Sequence, residues 1–191
     1  MRVGVLSLQG DFLEHLRTLE RCNATPVSVK TPPDFDGLDA LIIPGGESTT
    51  FTRLIERHGL EAPIRAMAER DSPLLGTCAG LILMATRIDM GKPDQLALGL
   101  LDVTVARNAF GRQVDSFEAD LDIAALGERR FRGVFIRAPV VTAAGAGVET
   151  LARIDDTIVG VQQGRRLGLS FHPELSGDLR MHKYFLALAE R

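Results

Sequence analysis

Ser72-Pro-Leu-Leu-Gly-Thr-Cys-Ala-Gly-Leu-Ile-Leu83 is the stretch on which the reading of this chain turns. Leu74-Leu75 reads as the end of a buried strand, and the apolar run from Leu81 to Ala85 as a helix. Gly76-Thr77-Cys78-Ala79-Gly80 lies between them and has the Gly-x-nucleophile-x-Gly shape of a strand-turn-helix elbow. The glycines permit a turn too tight for a side chain. Cys78 then stands at a helix N-terminus, where free N–H groups and the helix dipole favour a thiolate. A lone cysteine is usually a small buried core residue. Two glycines at a strand-to-helix switch favour a nucleophile instead.

A nucleophile needs a base, and Phe171-His172-Pro173-Glu174 supplies one. Pro173 biases His172 towards an extended backbone. In an extended segment, residues two apart project to the same side. Glu174 is therefore expected to orient His172, making Cys78, His172 and Glu174 a nucleophile, a base and an orienter. His-x-Glu also opens the zinc-deaminase signature, but the Pro-Cys-x-x-Cys half is missing. With only Cys22 and Cys78 in the chain, no metal site is expected.

Around this core the pattern alternates between strand and helix. Val3 to Leu8 is a nearly all-apolar run, as in a central parallel strand. Phe12, Leu16 and Leu19 recur at helical spacing, so Phe12 to Cys22 reads as an amphipathic helix. Strands are expected at Pro26 to Val29, Leu38 to Ile43 and Leu74 to Thr77. Helices are expected near Thr50 to His58 and Ala62 to Arg70. The second half reads as short strands: Val103 to Ala106, Phe131 to Ile136, Val148 to Ile154, Thr157 to Gln162 and Leu167 to Phe171. Asp155-Asp156 and Gln163-Gly164 mark turns. Met181, Tyr184, Phe185 and Leu188 make a closing helix. The expected fold is α/β: three layers, with a mostly parallel doubly wound sheet and an antiparallel portion in the second half. Gly46, Cys78 and His172 each follow a strand-like run, where sites of such folds gather.

Residues 1–191 suit one domain with a sizeable core. Hydrophobic residues make up 45% and charged residues 25%, an ordinary globular balance. A net charge of −3 argues against a nucleic-acid surface. No apolar run approaches the ~18 residues of a membrane span. The start of the chain does not look like a signal peptide. A reactive thiol needs a reducing compartment, so a cytoplasmic location is expected.

The motifs resemble those of the class I (triad) glutamine amidotransferases, and among them the glutaminase subunits of pyridoxal 5′-phosphate synthase. The matching segments are Val5-Leu-Ser-Leu-Gln-Gly-Asp11, Ile43-Pro-Gly-Gly-Glu-Ser-Thr-Thr50, Gly76-Thr-Cys-Ala-Gly-Leu-Ile82, Arg107-Asn-Ala-Phe-Gly-Arg-Gln113, Phe135-Ile-Arg-Ala-Pro139 and Phe171-His-Pro-Glu-Leu175. The resemblance implies hydrolysis of L-glutamine to glutamate and ammonia. The oxyanion donors it implies are the N–H groups of Gly46 and Ala79. The substrate pocket it implies is lined by Gly46, Glu47, Ser48, Arg107, Ile136 and Arg137. Glu47 suits the substrate ammonium, and Arg107 or Arg137 its carboxylate; Gln9 is a weaker candidate. The motifs leave no room for a synthase domain. The resemblance therefore implies a hetero-oligomer with a synthase subunit that receives the ammonia, and no cofactor in this chain. It also implies activation by that partner. Two other readings stay open: a free-standing glutaminase of another amidotransferase, and a non-catalytic binding subunit of the same fold.

Overall fold

The computed structural model describes residues 1–89, 95–107 and 116–190. Asn108-Ala-Phe-Gly-Arg-Gln113, most of one quoted motif, lies outside the described residues.

The first half winds as expected. β1 (Arg2–Leu6), β2 (Thr25–Val29), β3 (Ala40–Ile43) and β4 (Leu74–Thr77) pair in parallel in the order β2-β1-β3-β4. α1 (Phe12–Arg21), α2 (Ser48–His58) and α3 (Glu61–Glu69) cover them. β1, β3 and β4 are short and apolar because both faces are buried, whereas β2, at the sheet edge, buries only Val29 fully. Leu41, Ile43 and Leu74 point into one core with Phe51, Ile55 and Met67 of α2 and α3. Ala40, Ile42 and Leu75 point into the other, with Leu19 of α1 and with Met181 and Phe185 of the closing helix α5 (Arg180–Ala187). This period-2 division produces the three layers.

The second half folds back on itself. β11 (Thr157–Gln163) pairs antiparallel with β10 (Glu149–Ile154), β12 (Arg166–Leu169) and β9 (Val140–Ala144). The turns after β10 and β11 use the left-handed residues Asp155 (φ 49°) and Gly164 (φ 58°), and hairpins this short enforce antiparallel pairing. β12 then inserts parallel to β4, with Leu169 opposite Thr77. That register sets the segment after β12 beside Cys78.

Three strands were not expected from the pattern. β5 (Ala85–Asp89) pairs parallel with β6 (Leu101–Ala106), and β9 pairs antiparallel with β6. β7 (Ser116–Leu121) forms a separate two-stranded sheet with β8 (Phe131–Ile136). The helix after the elbow, α4 (Ala79–Met84), yields to β5 at Ala85. Among the described residues, no helix is long and apolar enough to cross a membrane.

Candidate active site

The elbow takes the form that its glycines suggest. Cys78 sits at φ 48° and ψ −103°, a sparsely populated region for a side chain that costs about 1–3 kcal/mol. The surrounding contacts hold it there. Cys78 N–H donates to Leu169 O at 2.8 Å, and Ile82 N–H to Cys78 O at 3.3 Å. A Cβ on Gly80 would lie 1.9 Å from Ile43 O, and one on Gly76 would lie 2.7 Å from the Gly80 carbonyl. Strand and helix therefore meet at backbone distance. α4 is only six residues long, so its dipole is short. The N–H groups of its first turn still lack intrahelical acceptors, and Ala79 is the first of them. The Cys78 thiol donates weakly to Ile136 O at 3.8 Å.

His172 arrives from β12. Its backbone (φ −105°, ψ 88°) stays out of the helical region, as Pro173 requires, but falls short of fully extended. The expected extended run through Glu174 is not present. Pro173–Leu175 form a 3₁₀ turn, for which proline is suited as first residue. Within that turn Glu174 still meets His172: Nδ1 donates to Glu174 Oε1 at 2.8 Å. Asp11 Oδ2 lies 3.4 Å from the same nitrogen. These three groups are also spaced as metal ligands would be, and the hydrogen bond between His172 and Glu174 accounts for that spacing. The imidazole lies close to the chain at Gly45, where an added Cβ would be 2.3 Å from His172 Cε1.

Burial opposes the charged form of His172, but the neighbouring Cys78 and Glu174 outweigh it and raise the imidazole to about 10. Burial pushes Glu174 above the usual carboxylate range, against the pull of His172. His172 Nε2 has no hydrogen-bond partner among the described residues.

Gly46, Glu47, Ser48, Cys78, Arg107, Ile136, Arg137 and His172 line one cavity of about 380 Å³. Ala79 and Glu174, both buried, do not line it but adjoin Cys78 and His172, which do. Glu47 has a structural duty as the N-cap of α2, where Oε2 accepts from Thr50 N–H at 2.8 Å. Burial opposes its ionisation, but bonds from Thr49 and Thr50 prevail and lower it to about 2. Its other oxygen, Oε1, lies 3.4 Å from Arg107. Arg137 stands exposed on a left-handed backbone (φ 43°).

Sequence reasoning missed two groups here. Gln95 accepts from Arg107 at 2.9 Å and donates to Ser48 Oγ at 2.9 Å, tying two pocket residues together. It lies in a segment without motifs, so nothing local marked it. Asp11 was part of a quoted segment, but its contact with His172 depends on tertiary packing. Gln9, the weaker candidate, clamps the Glu47 backbone with both ends of its amide: Nε2 donates to Glu47 O at 3.0 Å and Oε1 accepts from Glu47 N–H at 3.3 Å. A Cβ on Gly46 (φ 149°) would strike that amide at 2.7 Å.

The pattern of the SNO glutamine amidotransferase family matches residues 5–191. The chain belongs to that family. Two relatives show how similar its members are. Pyridoxal 5′-phosphate synthase subunit PdxT of Pelotomaculum thermopropionicum is 54% identical over 187 residues, which are 97% of this chain and 94% of that protein. The PdxT subunit of Thermus thermophilus is 54% identical over 188 residues, 98% and 97% of the two chains. A crystal structure described as a glutamine amidotransferase superimposes with a TM-score of 0.92 at 52% identity, covering 99% of each chain. The glutaminase domain of Trypanosoma brucei CTPS, solved with acivicin, shares the fold at a TM-score of 0.69 and 15% identity, covering 100% of this chain and 94% of that one. The chain thus shares its fold with both solved structures.

Proposed function

We propose that this chain hydrolyses L-glutamine to L-glutamate and ammonia, and that it supplies the ammonia to a separate synthase subunit that makes pyridoxal 5′-phosphate. The observation that carries the chemistry is the single cavity joining a strained Cys78 elbow, the His172–Glu174 pair and the charged groups Glu47, Arg107 and Arg137. The names of the relatives support the pathway.

In the proposed mechanism His172, raised to about 10, already holds the proton beside Cys78, and the Cys78 thiolate attacks the substrate amide carbon. The oxyanion is stabilised by the N–H groups of Gly46 and Ala79. His172 gives that proton to the leaving nitrogen, and ammonia departs. A γ-glutamyl thioester remains. Water, deprotonated by His172, attacks it; glutamate leaves and Cys78 is restored. Glu174 holds His172 and offsets its charge. Glu47, ionised at neutral pH, pairs the substrate ammonium. Arg107 or Arg137 pairs the carboxylate, with Ser48 and Ile136 completing the pocket. The half-exposed Glu47–Arg107 pair exchanges one contact for the zwitterion.

Residues 1–191 act as one glutaminase domain in this reading, in a hetero-oligomer with the synthase. The steps balance without a metal or cofactor in this chain. With a net charge of −3 and reactive-thiol chemistry, the setting is cytoplasmic, away from nucleic acid and membrane. The test is steady-state glutamine hydrolysis by the chain alone and with excess synthase. Turnover that rises with synthase and vanishes in Cys78→Ala supports the reading. Turnover surviving in Cys78→Ala overturns it.

A further inference from the structure

Beneath the proposed triad lies a second polar layer that the hydrolytic steps do not use. His15 on α1 and His182 on α5 are fully buried. His15 Nδ1 is 3.0 Å from His182 Nε2. His15 Nε2 is 3.3 Å from Thr77 Oγ1, next to the nucleophile, and 3.3 Å from Glu174 Oε2. Burial, then repulsion from His182 and His172, holds His15 well below the ordinary histidine range. Burial brings His182 to about 4. Both rings are therefore neutral at physiological pH.

Each neutral ring carries one N–H, which leaves two arrangements. In the first, His182 Nε2–H donates to His15 Nδ1, and His15 Nε2–H faces Thr77 Oγ1, with Glu174 Oε2 beside it at 3.3 Å. In the second, His15 Nδ1–H donates to His182, whose own proton moves to Nδ1. That atom is buried without a partner among the described residues, so an N–H there would be orphaned. The second arrangement also sets the His15 Nε2 lone pair against a carboxylate oxygen. The first avoids both costs.

Glu174 needs such a donor. Oε1 is engaged by His172, while Oε2 is buried with no well-aligned hydrogen bond. We propose that His15 is a positioning residue: its Nε2–H, held in that tautomer by His182, anchors the second oxygen of Glu174 so that the first stays on His172 Nδ1. A neutral donor fixes the carboxylate without drawing its charge away from His172, as outer-shell partners do for other oriented side chains. The inference rests on the proposed role of Glu174 as orienter. The titratable groups facing His172 are Cys78, Glu174 and Asp11; those facing His15 are His182, Glu174 and His172.

The experiment is nitrogen-15 NMR of the full chain, in which the four histidines are few enough to assign. His15 should show its proton on Nε2 at neutral pH. A proton on Nδ1, or an imidazolium, overturns the proposal without any substitution. Titration of the His172 ring then tests the anchor. His15→Asn keeps an acceptor for His182 but removes the Nε2 donor, and should lower the His172 midpoint by about one unit or more. His15→Gln restores an amide N–H at the Nε2 position and should recover most of that shift. An unmoved midpoint in His15→Asn, or equal shifts in the two variants, overturns the anchor. Glu174→Gln is the control: if it leaves the His172 midpoint unmoved, the orienter role itself fails. A response to Glu174→Gln with none to His15→Asn rejects the anchor alone.

Discussion

Cys78 and Cys22 are the only thiols, and their surroundings differ in kind. Cys78 is held on a strained turn that opens to the cavity. Cys22 ends α1 half-buried, and burial pushes its thiol up. A limiting amount of iodoacetamide at neutral pH should therefore label Cys78 first, as peptide mass mapping would show. Cys78→Ala should abolish glutaminase activity, while Cys22→Ala should retain it. Glu47 serves two roles, so its replacement should show two effects. Glu47→Ala should cost about 0.5–2 kcal/mol as a lost N-cap, read from denaturant unfolding. It should also raise KM for glutamine by more than it slows alkylation of Cys78. Equal losses in both would mean that the cap alone accounts for Glu47.

Elements bring these residues together through close approaches that glycine permits. Gly45→Ala would drive a Cβ to 2.3 Å from His172 Cε1, so the ring must shift from its place. A displacement of about 1 Å at a catalytic group costs on the order of 10²-fold in rate. Gly45→Ala should thus lose glutaminase activity with little change in thermal midpoint. Gly80→Ala should do the reverse in emphasis. Its Cβ meets the Ile43 carbonyl, which is backbone and cannot swing aside, so stability should fall by about 1–3 kcal/mol. Calorimetry and glutamine turnover on the same two variants separate the effects. At this scale the pattern anticipated β1, β3 and β4 because their apolar runs are buried on both faces. It did not anticipate β7, whose Ser116-Phe-Glu-Ala-Asp-Leu121 is half-exposed. That strand depends on its partner: Phe117 stacks on Phe135 at 4.7 Å, and Arg132 pairs with Glu118 and Asp120.

The buried histidines give the whole molecule a stability profile with a definite sign. His15 and His182 are depressed in the folded chain, so below their unfolded value near 6.5 the unfolded state binds more protons. Their contribution is present above pH 6.5 and is lost as pH falls below it, through about 4 for His182. His172 is raised to about 10, so its contribution is present below pH 6.5 and is lost as pH rises through 10. Glu174, raised by burial, partly opposes the acid-side loss just above 4.5. Stability should therefore peak near pH 6.5, with limiting slopes of about 1.4 kcal/mol per pH unit for each histidine. Denaturant midpoints measured from pH 5 to 9 at fixed ionic strength check this. A flat profile would mean that these rings titrate alike in both states.

Local sequence was enough for the elbow, the parallel half of the sheet and the choice of Cys78, His172 and Glu174 as candidates. Each depends on contacts within a few residues or on a periodicity that burial imposes. Gly76 and Gly80 flank Cys78 in any conformation, and Pro173 restricts His172 wherever it lies. Tertiary structure decided what stands around them. The 3₁₀ turn at Pro173, the pairing of β12 beside β4, the Gln95 bridge and the His15–His182 layer bring together residues far apart in the chain. Their geometry is set by which surfaces pack, because a buried polar atom must find its partner in whatever element the fold places next to it.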